Sequence, residues 1–240
     1  MNIIADTHTH TISSTHAFST VQEMVKAAAD MHLYAIALTD HGYTMPGAPG
    51  RWFFESLFTI PEVLYGVRVL KGVEANVADF KGSLDMEKSV LKSLEWVVAS
   101  MHGVTLKEKK PSIEKCTQAW LNIAENPDVN VIGHSGTPEY KYDYERVIPI
   151  LAKNGKLIEI NNGSFRFRKG SMDNCVQIAR VCKKYGARIV VNTDSHFSTA
   201  VGHVEDAMAI LKDIDFPQKL IVNSSLDSFK GYLKEHNINC

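Results

Sequence analysis

Ile3-Ile4-Ala5-Asp6-Thr7-His8-Thr9-His10 opens the chain, and Ile189-Val190-Val191-Asn192-Thr193-Asp194-Ser195-His196 comes near its end. In both stretches a short apolar run breaks off into histidine and a carboxylate. The same punctuation recurs in Ala35-Ile36-Ala37-Leu38-Thr39-Asp40-His41 and Val69-Leu70-Lys71-Gly72-Val73-Glu74. It returns in Trp96-Val97-Val98-Ala99-Ser100-Met101-His102 and Val131-Ile132-Gly133-His134. Apolar runs rich in Ile, Val and Leu with little alternation are strands covered on both sides, as in a parallel sheet. Polar groups at the end of nearly every such strand converge only if the strand ends do. A closed barrel brings them to one mouth, whereas an open doubly wound sheet spreads them along a line.

Strands are expected at about 2–6, 34–38, 67–73, 95–100, 129–133, 156–160 and 187–192. Helical spacing lies between several of them. Val21 to Met31 has Ser19 or Thr20 as N-cap with Glu23 in its first turn, and Asp143–Asn154, Asp173–Tyr185 and His203–Asp213 behave alike. Gly186 is a C-cap. Strand and helix alternate without a Pro/Gly/Ser-rich linker, so the expectation is one α/β domain over residues 1–240, a distorted seven-stranded barrel of the TIM type. The stretch 43–60, with Pro46, Pro49 and Arg51-Trp52-Phe53-Phe54, reads as a long loop over the mouth leading into a helix. Trp52 and Phe53 packing on the barrel exterior is the alternative.

Composition narrows the function classes. With 26 Lys+Arg against 27 Asp+Glu the formal net charge is -1, so the electrostatic footprint of a nucleic-acid binder is missing. Lys107 to Lys110 reads as a solvated loop. Cys116, Cys175, Cys182 and Cys240 form no Cys-x-x-Cys pair, which fits a reducing compartment. No secretory signal and no bilayer-length apolar run is visible, and a cytoplasmic location without membrane association is expected.

His8 and His10 share one side of a strand because the side-chain period is two, and Asp6 on that side is placed to orient an imidazole. A single His-x-His pair also fits a structural role; recurrence carries the weight. His8, His10, His16, His41, Glu74, His102, His134, Asp194 and His196 make nine metal-capable groups at one mouth. Packed there without cations they would leave polar atoms poorly satisfied and repel one another. Imidazoles with a few carboxylates suit zinc, with manganese or iron as rivals, and nine groups imply two or three ions. His32, His203 and His236 are read as structural or exposed.

Asp6-Thr-His-Thr-His10, Thr39-Asp-His-Gly42, Gly72-Val-Glu-Ala-Asn76, His102, Gly133-His-Ser-Gly136 and Asn192-Thr-Asp-Ser-His196 together resemble the PHP (polymerase and histidinol phosphatase) superfamily. Ser13-Ser14-Thr15-His16-Ala17 and Lys169-Gly170-Ser171-x-Asp173-Asn174-Cys175 are similar to its YcdX-like stand-alone phosphatase branch. The resemblance spans essentially the whole chain. It departs after His134, where many members have Pro-Gly and this chain has Ser135-Gly136.

The resemblance implies a trinuclear site, most often described with zinc. One ion would take His8, His10, Glu74 and Asp194. A second would share Glu74 and add His102 and His134, and a third would take His16, His41 and His196. A metal-bound water would attack a phosphate monoester of a small molecule or nucleotide, with Glu74, Asp194 and His196 as the groups carrying catalysis. Asp6 and Asp40 are expected to orient rather than ligate. Arg168 and Lys169, after the sixth strand, are the candidates for holding phosphate, with Arg51 weaker. Long nucleic acid is not an expected partner; a homo-oligomer is compatible. Two other readings stay open: an amidohydrolase-type hydrolase, and a non-catalytic domain stabilised by its metals.

Overall fold

Seven parallel strands follow one another around a nearly closed barrel in the computed structural model, which describes residues 2–239. They are β1 (Ala5–Thr9), β2 (Ala35–Leu38), β4 (Val67–Asn76), β5 (Trp96–Ser100), β6 (Val131–Ile132), β7 (Leu157–Asn161) and β8 (Ile189–Asn192), in the order β1-β2-β4-β5-β6-β7-β8. A short β3 (Val63–Leu64) pairs antiparallel with the start of β4 through a turn at Tyr65-Gly66 and lies outside this path. The two ends of this path, β1 and β8, come round to meet at a bridge between Thr9 and Ser195, so the doubly wound alternative is set aside.

The helices that cover the barrel begin where local chemistry says they should. Thr20 caps α1 (Val21–Asp30) in a full capping box, accepting from the Glu23 amide while Glu23 accepts from the Thr20 amide. Asp143 caps α5 (Tyr144–Lys153), and Gly186 ends α7 (Ser171–Tyr185) at φ 67°, a left-handed conformation that glycine adopts without a Cβ clash. Also present are α2 (Arg51–Glu55), α3 (Lys88–Leu91), α4 (Ile113–Ala124), α6 (Asn162–Phe167), α8 (Glu205–Asp213) and α9 (Leu226–Glu235). The helix falls inside the 43–60 stretch as α2 rather than after it, and β3 follows the stretch. Phe54 is buried beneath α2 and Phe53 half-buried, while Trp52 stays 82% exposed.

Two apolar clusters divide the molecule. The larger lies between the strands and the surrounding helices. The smaller fills the lower barrel interior with Ala5, Ala35, Ala37, Leu70, Trp96 and Leu157, among others, and α9 stops that end with Phe229, Tyr232 and Leu233. Above this plug the inward positions turn polar: Leu70 is followed on the same side by Gly72, Glu74 and Asn76, and Leu157 by Glu159 and Asn161. The plug thus holds up a polar mouth at the C-terminal ends of the strands.

The seam between β8 and β1 has no ladder among the described residues. At the mouth, Thr9 bridges Ser195 and the His10 amide bonds Ser195 O at 2.8 Å. Lower down, side chains stitch the gap. The Thr7 amide and hydroxyl both reach Asn192 Oδ1 at 2.9 Å. Asn223 donates to Ala5 O at 2.7 Å and Val191 O at 2.6 Å while accepting from the Val191 amide at 3.1 Å.

The first strand runs 5–9 rather than 2–6, and it carries a bulge. Asp6 stands opposite Ile36 but Thr9 opposite Leu38, so Thr7 and His8 together face Ala37. The extra residue shifts the alternation by one. His8 and His10 therefore turn inward with Ala37, and Asp6 falls to the outer side with Ile36. β4 is likewise longer than expected and contains Glu74 rather than ending before it.

Candidate metal centre

Glu74, fully buried on β4, stands at the centre of the histidine cluster. Its Oε1 lies 2.9 Å from His134 Nε2, 3.3 Å from His8 Nε2 and 3.5 Å from His102 Nε2. Its Oε2 lies 2.7 Å from His41 Nδ1 and 3.5 Å from His10 Nε2. Asp194 approaches from β8's far end, with Oδ1 at 3.1 Å from His10 Nε2 and 3.6 Å from His8 Nε2. His16 Nε2 is 3.3 Å from His41 Nε2, and the His196 ring stacks on His10 and His16 with centroids 4.3 and 4.6 Å away. All nine groups are together in space. Three sets have ligand atoms close enough for one ion: His8 with His10 and Asp194, His41 with Glu74 and His102, and His10 with His41 and His196. His41 thus sits between two of the groups the resemblance implies, and His10 reaches into the set expected for His16, His41 and His196.

What lies behind each ring decides which nitrogen faces the centre. His8 Nδ1 is 2.8 Å from Glu159, His102 Nδ1 is 2.8 Å from Asn76 Oδ1, and His196 Nδ1 is 2.8 Å from Asp194 O. His10 Nδ1 meets Ser14 Oγ at 3.3 Å, and that hydroxyl donates to Asp40. Each of these partners accepts an N–H, so the Nε2 lone pair is left facing inward. Burial, reinforced by neighbouring imidazoles, pushes the pKa of His10 well down. Burial also lowers His102 despite Glu74, and lowers His16 together with His196 and His41. His8 differs: burial opposes its charge, but Glu159, Glu74 and Asp194 raise its pKa well above the ordinary value. Burial likewise works against Glu74, yet His8, His102 and His41 hold its carboxyl far below the usual range.

The residues fit metal ions on their own geometry. His8 Nε2, His41 Nδ1, Glu74 Oε2 and His196 Nε2 are buried with no hydrogen-bond partner, although other polar atoms crowd them. Inward lone pairs without donors are costly in a protein interior and are the arrangement a cation satisfies. Nitrogen donors mixed with carboxylate oxygens match zinc, with manganese and iron as alternatives. Two of the ligand-bearing positions have left-handed backbone: His134 at φ 26° and Asp194 at φ 57°.

The cluster opens on a cavity of about 360 Å³ lined by His16, His41, His102, Asp194 and His196 together with Met45, Met101, Val104, Glu139, Tyr140 and Arg168. Arg168 bonds Ser164 Oγ at 2.8 Å and lies 3.5 Å from Asp194 Oδ2. Lys169 is exposed and does not line the cavity. Arg51 pairs with Glu55 at 2.8 Å, also away from it. Of the 43–60 stretch only Met45 lines the cavity; the following turn packs on the His16 loop, where a Cβ on Gly47 would meet Thr15 Oγ1 at 1.8 Å. The basic segment 161–170 is not all loop, since Asn161 caps α6 through its bond from the Ser164 amide.

Asp6 does not orient an imidazole. The bulge turns it to Thr193, whose hydroxyl and amide it accepts at 2.6 and 3.2 Å, and to the Gly202 amide at 3.0 Å. Burial raises its pKa to about 6. Asp40 acts through the loop after β1, accepting from the Thr11 amide and hydroxyl and from Ser14. His203 pairs with Glu205, His236 bonds Tyr232 O, and neither joins the centre.

The sequence reading missed Glu159 and Asn76. Both occupy inward positions within or at the end of strands, and the period-two pattern from Leu157 and Leu70 is the signal that finds them. Cys116, Cys175 and Cys182 are buried free thiols that belong to none of the three ligand sets; Cys240 lies outside the described residues. Among the described residues no helix is long and apolar enough to cross a membrane.

Relatives of this arrangement are known. A probable phosphatase of Acetivibrio thermocellus is 47% identical over 234 residues, covering 98% of this chain and 96% of the relative. Another, from Thermoanaerobacter sp. (strain X514), is 44% identical over 236 residues, covering 98% and 96%. Histidinol phosphate phosphatase from Lactococcus lactis, solved with zinc, L-histidinol and phosphate, superposes with a TM-score of 0.66 at 16% identity, over 89% of this chain and 94% of that one. A probable 2-pyrone-4,6-dicarboxylic acid hydrolase from Acinetobacter baumannii gives 0.52 at 15% identity, over 98% and 100%. These two structures share the fold. The PHP domain model matches residues 6–163, from the bulged strand past Glu159, and together with the full-length relatives this places the chain in the PHP domain family.

Proposed function

We propose that this chain is a metal-dependent phosphoesterase that hydrolyses a phosphate monoester of a small molecule or nucleotide at a site for three ions, zinc foremost. The observation that carries the reading is the set of partnerless, inward-facing imidazole and carboxylate atoms around Glu74, opening on one cavity. The probable phosphatases at 44–47% identity supply the reaction type. Bound cations would supply an activated water as nucleophile and neutralise charge on the phosphoryl oxygens.

The chain's own residues divide the remaining work. Glu74 presents one oxygen to His8, His102 and His134 and the other to His10 and His41, so it joins neighbouring ion positions. Asp194 ties His8 and His10 to the cavity wall. His196, 28% exposed at the cavity, commits Nδ1 to Asp194 O and so turns its Nε2 lone pair toward the outer ion position. Arg168 uses one N–H on Ser164, leaving others for phosphoryl oxygens; Lys169 adds a positive charge outside the cavity. His16 and His41 complete the outer ion position.

The test is a panel of phosphate monoesters, amides and lactones assayed with protein loaded with Zn²⁺, Mn²⁺ or Fe²⁺, with and without chelator. At least one phosphate ester should turn over, chelation should abolish it, and Glu74→Ala should lose more than about 100-fold in kcat/KM, beyond the effect of removing a supporting partner. Turnover confined to amides or lactones, or bound metal with no turnover of any ester, refutes the reading.

A further inference from the structure

Glu159 is fully buried in β7 and does not line the cavity above the centre, yet it accepts four hydrogen bonds. Oε1 takes His8 Nδ1 and Asn192 Nδ2, each at 2.8 Å. Oε2 takes the His134 amide at 2.6 Å and Asn161 Nδ2 at 3.0 Å. Asn192 in turn accepts from Thr7 next to His8, and Asn161 Nδ2 also lies 3.3 Å from Asp194 Oδ2. One carboxylate therefore stands behind β1, β6 and β8 at the level of the metal centre. Its bond to the His134 amide holds the residue whose φ is 26°, just after Gly133 passes too close to Ser100 for any Cβ. Among the described residues nothing else holds the His134 amide.

We propose that Glu159 is a positioning residue for the metal centre: it fixes His8 with Nδ1 protonated and Nε2 bare, and pins His134 in its strained conformation so that both rings meet Glu74. This rests on the metal-dependent reading above. A carboxylate suits the role because it is acceptor-only, with enough lone pairs for four donors. Glutamine at the same place fits the volume but must turn an N–H₂ toward one donor pair, toward His8 and Asn192 or toward His134 and Asn161. Supporting hydrogen bonds of this kind carry about 10–100-fold in metal affinity.

The experiment uses the full chain, stripped and reloaded with Zn²⁺ under a competing chelator, with Glu159→Gln beside Ile158→Val. Ile158 is the buried neighbour on β7 that faces the outer core, so it destabilises the strand without touching the centre. Glu159→Gln is expected to bind its tightest zinc about 10–100-fold more weakly than the unmodified chain. It should also shift the visible absorption of the Co²⁺-loaded protein, while Ile158→Val changes neither. Equal affinity and an unchanged cobalt spectrum in Glu159→Gln, or an equal loss in Ile158→Val, overturns the proposal while leaving the enzyme reading intact. Should Glu159→Gln not fold, nitrogen NMR of ¹⁵N-histidine-labelled, zinc-loaded unmodified protein decides: His8 must carry its proton on Nδ1, and a proton on Nε2 overturns the proposal. An unmodified chain that binds no zinc at all refutes the enzyme reading itself, and this proposal with it.

Discussion

Replacing Asn223 by alanine tests how the barrel is closed. Every other neighbouring pair of barrel strands is joined by ladder hydrogen bonds, but between β8 and β1 the lower seam is carried by side chains, Asn223 with three bonds and Asn192 with two from Thr7. Asn223 is fully buried, so water does not replace what the substitution removes. Three hydrogen bonds are lost at a net of about 1 kcal/mol each, and the Val191 amide is left buried without an acceptor for about a further 1–3 kcal/mol. The sum is about 4–6 kcal/mol, a large share of the roughly 5–15 kcal/mol by which domains are stable. For a chain of this size that lowers the thermal midpoint by on the order of 10 °C. Urea unfolding followed by circular dichroism gives the first number. Hydrogen exchange at the Val191 amide gives an independent one, because local protection there should fall further than at Val73 in β4. Because β1 carries His8 and His10 while β8 leads into Asp194 and His196, a loosened seam also predicts weaker zinc retention as temperature rises. A loss below about 1 kcal/mol, with the Val191 amide as protected as before, would show that the bridge at Thr9 and Ser195 and the Thr7–Asn192 bonds close the barrel without Asn223.

Arg168→Ala removes the guanidinium from the cavity wall and should lower kcat/KM for a phosphate ester by about 10–100-fold, the value of one or two charge-assisted hydrogen bonds, with KM rising. Arg168→Lys should recover only part of this because it cannot bind bidentately, and a change under about twofold in Arg168→Ala would remove the residue from substrate binding. Lys156 makes a pH prediction at the opposite end of the barrel. Burial lowers its pKa from 10.5 to about 8, against the pull of Asp128 and Glu125, although its ammonium donates to Asn126 O and Val129 O. A cation whose folded pKa is depressed binds fewer protons folded than unfolded, so its contribution to stability rises with pH between about 8 and 10.5 and is constant below that window. The difference in unfolding free energy between unmodified protein and Lys156→Met should move in favour of the unmodified protein across that range; a flat difference would count against the buried-ammonium account.

Much of the architecture was legible because two periodicities agree. Apolar runs mark the strands, and the residue ending each run marks the mouth, so His41, Glu74, His102 and His134 could be assigned to one place without knowing how the sheet closes. The capping signals at Thr20, Asp143 and Gly186 were equally local and equally readable. Three things were not. The bulge in β1 depends on how the strand pairs with β2, and a strict period of two puts Asp6 on the wrong side of it. Glu159 sits in mid-strand between Ile158 and Ile160, where a rule that looks for polar residues at strand ends passes over it. The helix α9 carries an ordinary amphipathic pattern, and only the three-dimensional structure shows that its apolar stripe enters the barrel rather than covering it.

These misses share a cause, and it bears on how such a centre is built. In this barrel the interior below the mouth is narrow, apolar and stopped by α9, so it fixes strand positions but provides little to orient imidazoles. Orientation comes from polar side chains one layer beneath the ligands: Glu159 behind His8 and His134, Asn76 behind His102, and Ser14 with Asp40 behind His10. Asn76 is itself held by Asp85, whose two oxygens accept its amide and side chain at 2.8 and 2.7 Å. Glu159, Asn76 and Asp40 reach across from a different strand or loop than the ring they support, so their roles do not follow from local sequence; Ser14 alone is local, four residues from His10. Each is an acceptor, which leaves the His8, His10 and His102 rings with the Nδ1 proton outward and the Nε2 lone pair inward. A constellation in which the acceptors all lie on the outside and the lone pairs all on the inside is poorly satisfied as protein alone, and becomes consistent once cations occupy its centre.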